Sequence, residues 1–290
     1  MNHLAATASP LVDASSLKAA LGLAPIVLLD ASFDLGDPSA GERAWALGHL
    51  PGAQYAHLDR DLSGPKAPIG PRFTGRHPLP KRTAFAATAG RWGIGPRQLV
   101  VAFDRQGGPY AARLWWMLRW LGHGRVWVLD GGVDAWLAIG GALTEALPQV
   151  LPQSPYPLRG PSMPTVSTAA LQRTLGSIRL VDARGAERFR GDVEPLDSVA
   201  GHIPGALNRP FKDNLAADGS FKPRGRLLRE FNDLLGQHAL AEVVHQCGSG
   251  VTACHNLLAM EAAGLAGGRL YPGSWSEWSA DPARPVARGG

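Results

Sequence analysis

Only two cysteines, Cys247 and Cys254, occur in the 290 residues, and the first stands where a thiol can do chemistry. Cys247 follows an apolar run ending at Val244 and precedes Gly248-Ser249-Gly250. Beyond it, Val251-Thr252-Ala253-Cys254-His255-Asn256-Leu257-Leu258 reads as a helix closed by Gly264. A cysteine at a strand-to-helix turn faces the positive end of the helix, and glycines let successive N–H groups curl inward as an anion-binding nest. Both effects favour thiolate, so Cys247 is the candidate nucleophile. Cys254 shares a helical face with Val251 and Leu258 and is expected in the core. His245, Cys247, Cys254 and His255 form a superficially ligand-like cluster. His245 falls in a strand, however, and His255 lies about 100° around the helix from Cys254, so neither a metal nor a cofactor is expected. A cysteine phosphatase would need an arginine six residues after the nucleophile, and position 253 is alanine.

The elements that must position Cys247 are written twice. Leu28-Leu29-Asp30-Ala31 answers Leu180-Val181-Asp182-Ala183, and Gly48-His49-Leu50-Pro51-Gly52-Ala53 answers Gly201-His202-Ile203-Pro204-Gly205-Ala206. Val100 to Asp104 then answers Val243 to Cys247, and Asp130 to Trp136 answers Pro272 to Trp278. In each copy short Val/Ile/Leu runs alternate with helical patterns, which predicts an α/β fold of two tandem domains, each a mainly parallel sheet flanked by helices. Candidate strands are 26–30, 99–103 and 126–129, then 178–182, 242–246 and 269–271. The proline-rich stretch 141–164 reads as a semi-extended linker, dividing the chain near residue 155 into domains at 1–150 and 160–290. Asp104 stands in the first copy where Cys247 stands in the second, so a binding-module role is natural for the first copy only.

Composition excludes several classes of function. A hydrophobic fraction of 45% with 18% charged residues is that of a globular protein. The most membrane-like stretch, 111–121, contains Arg113 and Arg119 and falls short of the ~20 apolar residues a spanning helix needs. Residues 1–21 show neither a secretory leader nor an Arg-rich transit pattern, and with only two cysteines a reducing, cytoplasmic location is expected. The net charge of +5 comes from dispersed Lys and Arg, which suits an anionic small molecule and predicts no nucleic-acid partner. Trp115, Trp116 and Trp120 lie at helical spacing and are expected to pack, while His49 and His202 belong to structural turns.

The duplicated βα unit, the paired Gly-His-(Leu/Ile)-Pro-Gly-Ala segments and the loop Cys247-Gly248-Ser249-Gly250-Val251-Thr252-Ala253 resemble the tandem rhodanese-domain sulfurtransferases over nearly the whole chain. The resemblance implies a silent first domain and a second that carries sulfur as a persulfide on Cys247, steadied by N–H groups from Gly248 through Gly250 and Val251 to Thr252. Within the family the loop is most similar to that of mercaptopyruvate sulfurtransferases, since thiosulfate-using members place basic residues after the cysteine. Mercaptopyruvate leaves an enolate that must be protonated, which suits a hydroxyl relay. By resemblance that relay runs from Ser249 to His77 and Asp59, and Arg188 grips the substrate carboxylate. An anionic sulfur donor is implied, with a thiol (thioredoxin or a low-molecular-weight thiol) or cyanide as acceptor. The chain departs from the pattern at Asp197, where those enzymes carry a second substrate arginine. Arg190 and Arg209 are the nearby candidates to substitute, and thiosulfate is the alternative donor.

Overall fold

The computed structural model describes residues 9–70, 72–160 and 162–290. The chain forms two compact units that exchange short segments. One comprises Met1–Ser63, Pro80–Ser162 and Ala216–Phe221; the other comprises Gly64–Leu79, Met163–Leu215 and Lys222–Gly290.

In the first unit, β1 (Leu11–Val12), β2 (Ile26–Asp30), β3 (Gln54–Tyr55), β4 (Leu99–Phe103) and β5 (Val126–Leu129) form a parallel sheet in the order β1-β5-β4-β2-β3. Every residue of β4 is buried, as a central strand covered on both faces requires, so its sequence is an unbroken apolar run. Around the sheet lie α1 (Ala14–Leu21), α2 (Ala40–Leu47), α3 (Arg82–Arg91), α4 (Pro109–Leu121) and α5 (Gly132–Ala138). Leu17, Leu28, Val101, Phe103, Trp127 and Trp136 belong to one core cluster of this unit. Trp115 and Trp116 are fully buried on α4, in keeping with a packing role. Part of the proline-rich stretch is laced to α3: Gln153 N–H donates to the Gly90 carbonyl at 2.8 Å and Tyr156 N–H to that of Ala86 at 2.9 Å.

The second unit repeats the plan with β6 (Arg179–Asp182), β7 (Leu207–Asn208), β8 (Val243–Gln246) and β9 (Arg269–Leu270), parallel in the order β7-β6-β8-β9. Thr165 makes an isolated parallel bridge to Leu270, the position that β1 holds beside β5. Its helices are α6 (Thr168–Thr174), α7 (Ala186–Arg190), α8 (Arg224–Leu235), α9 (Ala253–Ala263) and α10 (Ser274–Ser279). On α8 the buried residues are Leu227, Phe231 and Leu235, four apart, with Leu228 and Leu234 half-buried beside them, so one apolar stripe docks it. The two repeated histidines do matching structural work. His49 stacks on Trp45 and its Nδ1 meets the Trp45 carbonyl at 2.8 Å; His202 stacks on Phe189 and its Nδ1 meets the Phe189 carbonyl at 2.8 Å.

Candidate functional site

Cys247 begins the loop from β8 to α9 and is 2% exposed. Its Sγ accepts the Gly250 N–H at 3.1 Å. Gly250 has φ +77°, and a Cβ there would lie 2.3 Å from the Pro272 carbonyl oxygen, so only glycine allows this curl. No acceptor among the described residues takes the N–H groups of Gly248, Ser249, Val251 or Thr252. These donors sit before the first turn of α9, where an anion is favoured.

The loop is held from behind by the start of α10. Trp275 N–H donates to the Cys247 carbonyl and Ser276 N–H to that of Gly248, each at 2.9 Å. Cys247 N–H donates to Ser274 Oγ at 3.1 Å, and Ser274 Oγ–H donates onward to the Tyr271 carbonyl at 2.9 Å. Ser274 adopts φ 54°, a left-handed conformation that costs an L-residue about 1–2 kcal/mol. Its counterpart in the first copy is Gly132 at φ 56°, which meets the same backbone demand without a side chain. Ser274 is therefore a residue of the site that the sequence reading missed. A serine in the place of the repeat's glycine was the available signal.

Ser249 is buried, and its Oγ lies 2.7 Å from His77 Nδ1. The two are 172 positions apart in sequence, yet share a unit because Gly64–Leu79 packs with the second half. That segment is closed on itself by Gly64 N–H to the Pro78 carbonyl at 2.8 Å and tied to α10 by Arg76 N–H to Ser276 Oγ at 3.1 Å. Asp59 lies in the other unit, on the turn after β3, where its N–H donates to His57 Nδ1 at 3.0 Å.

Arg188, in the last turn of α7, turns Nε and Nη2 to the Glu194 carboxylate at 3.3 and 2.6 Å. Glu194 also takes Arg184 Nη1 at 3.3 Å, and Arg184 is buried against Asp182 with its guanidinium 4.7 Å from the Trp275 ring centroid. Asp197 bonds both Arg188 and Arg76. The result is a chain of alternating charges running past the loop. Arg76 has no place in the motif that pointed to the site and was missed.

The other residues of the apparent metal cluster are engaged elsewhere. His245 Nε2 meets Met260 Sδ at 2.9 Å, His255 Nδ1 accepts from Asn214 Nδ2 at 3.1 Å, and Cys254 Sγ approaches the Gly250 carbonyl at 3.4 Å. Cys254 is fully buried, as its helical spacing predicts.

The equivalent loop of the first unit is closed. Asp104 is 1% exposed, and its carboxylate accepts N–H groups from Gln106, Gly108, Tyr110 and Ala111 at 2.8 to 3.0 Å. Burial pushes this carboxyl up from its ordinary pKa, and the amide donors pull it down.

Chemically, the second loop offers a sulfur nucleophile, a ring of N–H donors for an anion on that sulfur, a hydroxyl–imidazole pair able to move a proton, and guanidinium groups for an anionic substrate. Comparison with known proteins agrees. The rhodanese-like domain model matches residues 13–139 and 167–281. A Pseudomonas aeruginosa protein named "Probable 3-mercaptopyruvate sulfurtransferase" is 46% identical over 286 residues, covering 98% of this chain and 99% of that one. A Mycobacterium tuberculosis protein provisionally named as a thiosulfate sulfurtransferase is 42% identical over 275 residues, covering 91% and 92%. Among solved structures, the 3-mercaptopyruvate sulfurtransferase of Leishmania major superposes with a TM-score of 0.81 at 30% identity, covering 94% of this chain and 74% of that one. With the duplicated parallel sheets and the cysteine loop, these matches make the chain a member of the tandem rhodanese-domain sulfurtransferases.

Proposed function

We propose that this sulfurtransferase takes sulfur from 3-mercaptopyruvate onto Cys247 and passes it to a thiol acceptor. The observation that carries the reading is the 2.7 Å contact between Ser249 Oγ and His77 Nδ1, two residues from the nucleophile. Cys247 thiolate attacks the sulfur of the donor. A new S–S bond forms, the C–S bond breaks, and its electron pair stays on carbon as the enolate of pyruvate. Ser249 Oγ–H protonates that carbon and regains a proton from His77, whose orientation the family resemblance assigns to Asp59. The persulfide on Cys247 is steadied by the loop N–H groups from Gly248 to Thr252, and Arg188 holds the donor's carboxylate. A thiol acceptor, thioredoxin or a low-molecular-weight thiol, or cyanide, then removes the outer sulfur, which makes the kinetics ping-pong. The first domain, with Asp104 at the cysteine position, takes no covalent part. Both cysteines are free, which supports a reducing location, the cytoplasm.

Thiosulfate is the second reading, favoured by Asp197 in place of a substrate arginine and by the name of the mycobacterial relative. The test compares pyruvate release from 3-mercaptopyruvate with thiocyanate formation from thiosulfate and cyanide, in the native chain and Cys247→Ser. A preference for mercaptopyruvate that the substitution abolishes is expected. A preference for thiosulfate reverses the donor assignment, and undiminished turnover in Cys247→Ser removes the persulfide step.

A further inference from the structure

The turn after β3 carries Asp59, and its shape is set by the residue two positions earlier. His57 stands at the N-terminal cap of that turn, where its ring takes the part usually played by a serine or aspartate side chain. Its Nδ1 accepts the N–H of Asp59 at 3.0 Å and that of Arg60 at 3.4 Å. The far end of the turn answers: Asp61 Oδ2 accepts the His57 N–H at 2.9 Å, and Asp61 N–H donates to the His57 carbonyl at 2.9 Å. The His57 side chain is buried and meets Phe33 and Tyr55 edge-on, with ring centroids 5.2 and 6.1 Å away. Leu58 and Leu62, four apart and fully buried, anchor the same turn. Of the charged neighbours, Arg60 is held by both Glu42 oxygens at 2.9 and 2.7 Å, and Asp61 lies 3.8 Å from Arg91. With Nδ1 accepting, the imidazole is neutral and its proton sits on Nε2. Burial and then Arg60 lower its pKa and keep it neutral, against the opposite pull of Asp59, Glu42 and Asp61. The second copy lacks this device. Pro210 holds the place of His57, the short 3₁₀ helix Phe211–Asn214 that it opens has no side-chain cap, and Lys212 holds the place of Asp59.

We propose that His57 is a positioning residue for the sulfur-transfer reaction, an imidazole cap that fixes the turn carrying the Asp59 carboxylate of the proton relay. The inference rests on the reading of Asp59 as a member of that relay and adds the residue that aims it. A carboxylate on a single methylene has little reach of its own, so its direction follows the backbone of the turn, and the two N–H bonds to Nδ1 hold that backbone. Without the acceptor the two N–H groups must turn to water or to a rearranged turn, and the relay loses alignment rather than a chemical group. Arg188, which holds the donor, belongs to the other unit, so the effect falls on kcat and not on KM.

The experiment follows pyruvate release against 3-mercaptopyruvate concentration in the full chain, with thermal midpoints to verify folding. His57→Phe keeps a ring among Phe33 and Tyr55 but has no acceptor, whereas His57→Asn gives up the ring and keeps a cap oxygen. Asp59→Asn and the double variant His57→Phe/Asp59→Asn complete the set, and His57→Ala replaces the phenylalanine variant should that one not fold. Asp59→Asn is expected to lower kcat roughly 100-fold, and His57→Phe about 10-fold with KM within about threefold of native. His57→Asn should stay within about threefold of the native kcat. The double variant should lie within about twofold of Asp59→Asn, since a residue that acts through Asp59 has nothing left to aim. A His57→Phe kcat within about twofold of native, beside a slow Asp59→Asn, overturns the proposal. So does an asparagine variant as slow as the phenylalanine one, which would make the ring's packing the cause, or a double variant slowed by the product of the two single effects. Failure of the underlying reading is seen separately: a native kcat in Asp59→Asn removes Asp59 from the relay, and this role of His57 with it, whatever the His57 variants do.

Discussion

The loop after β4 and the loop after β8 hold the same place in two copies of one sheet, and they use their backbone donors in opposite ways. In the first, the Asp104 carboxylate collects the N–H groups of Gln106, Gly108, Tyr110 and Ala111, so the loop satisfies itself. In the second, Cys247 Sγ takes the Gly250 N–H, and those of Gly248, Ser249, Val251 and Thr252 have no acceptor among the described residues. The duplicated scaffold thus builds an anion cradle in both halves, and one side chain decides whether it is filled from within. The first copy's loop is a completed polar core, stabilised by groups whose counterparts in the second copy have no acceptor among the described residues.

The largest effect is expected from giving the second loop the first loop's device. Cys247→Asp should abolish turnover with either donor while the thermal midpoint of the chain holds or rises, because the new carboxylate takes up open N–H groups. A clear drop in midpoint would show that the two loops are not equivalent cradles. Asp104→Ala leaves buried donors without an acceptor and should lower stability by on the order of 4 kcal/mol in urea denaturation, with Asp104→Asn losing about half as much. A loss below about 1 kcal/mol for the alanine variant contradicts the account of a self-satisfied loop.

The pair Gly132 and Ser274 sharpens the comparison at smaller scale. Ser274→Ala keeps the strained backbone and removes the acceptor of the Cys247 N–H, so it should cost about 2 kcal/mol. Ser274→Gly loses the same bond but relieves the strain, and should be milder by about 1 kcal/mol. Equal losses would mean that the strain at φ 54° is not felt.

The smallest expected effect, taken per pH unit, concerns His245 on β8, which answers Ala102 on β4. Burial lowers its pKa from 6.5 to about 3, so between these values the unfolded chain binds a proton that the folded chain does not. Stability is therefore full above pH 6.5 and falls as the pH drops toward 3, by about 1.4 kcal/mol per pH unit. His123, buried in the first unit with its pKa lowered to about 4, acts in the same direction there. His245→Gln should flatten the acid limb that the native chain shows in denaturation series from pH 7 to pH 4; an unchanged slope assigns that limb elsewhere.

Much of this was legible in the sequence. The longer strands announce themselves as apolar runs because both faces of the sheets are covered, and the bounds at β2, β4 and β5 match the predicted ones. Of the two-residue strands, β9 falls within the expected 269–271, while β1, β3 and β7 carry too few positions for any period to show. Cys247 was visible because its loop is local, and its chemistry depends on neighbours in the chain. Arg76 was not, since nothing in the spacing of Arg76 and Asp197, 121 positions apart, says that they meet. Asp197 could be recognised as a departure from a pattern, but the guanidinium groups that it bonds are brought to it by tertiary structure. Asp104 read as an absent cysteine, and only the backbone shows it to be a bound carboxylate.

The exchange of segments between the units also bears on how the molecule is made and how it could be divided. A ribosome emits Gly64–Leu79 long before the sheet that receives it exists, and emits Ala216–Phe221 long after the unit that it completes. Neither half can reach its final form in the order in which it is synthesised. The early strip must wait for its host, and the early unit must wait for its last piece. Expression of residues 163–290 alone would yield a cysteine loop without His77 or Arg76, however well it folded. The gene can be read as a tandem repeat, but cutting it at the repeat yields two incomplete proteins.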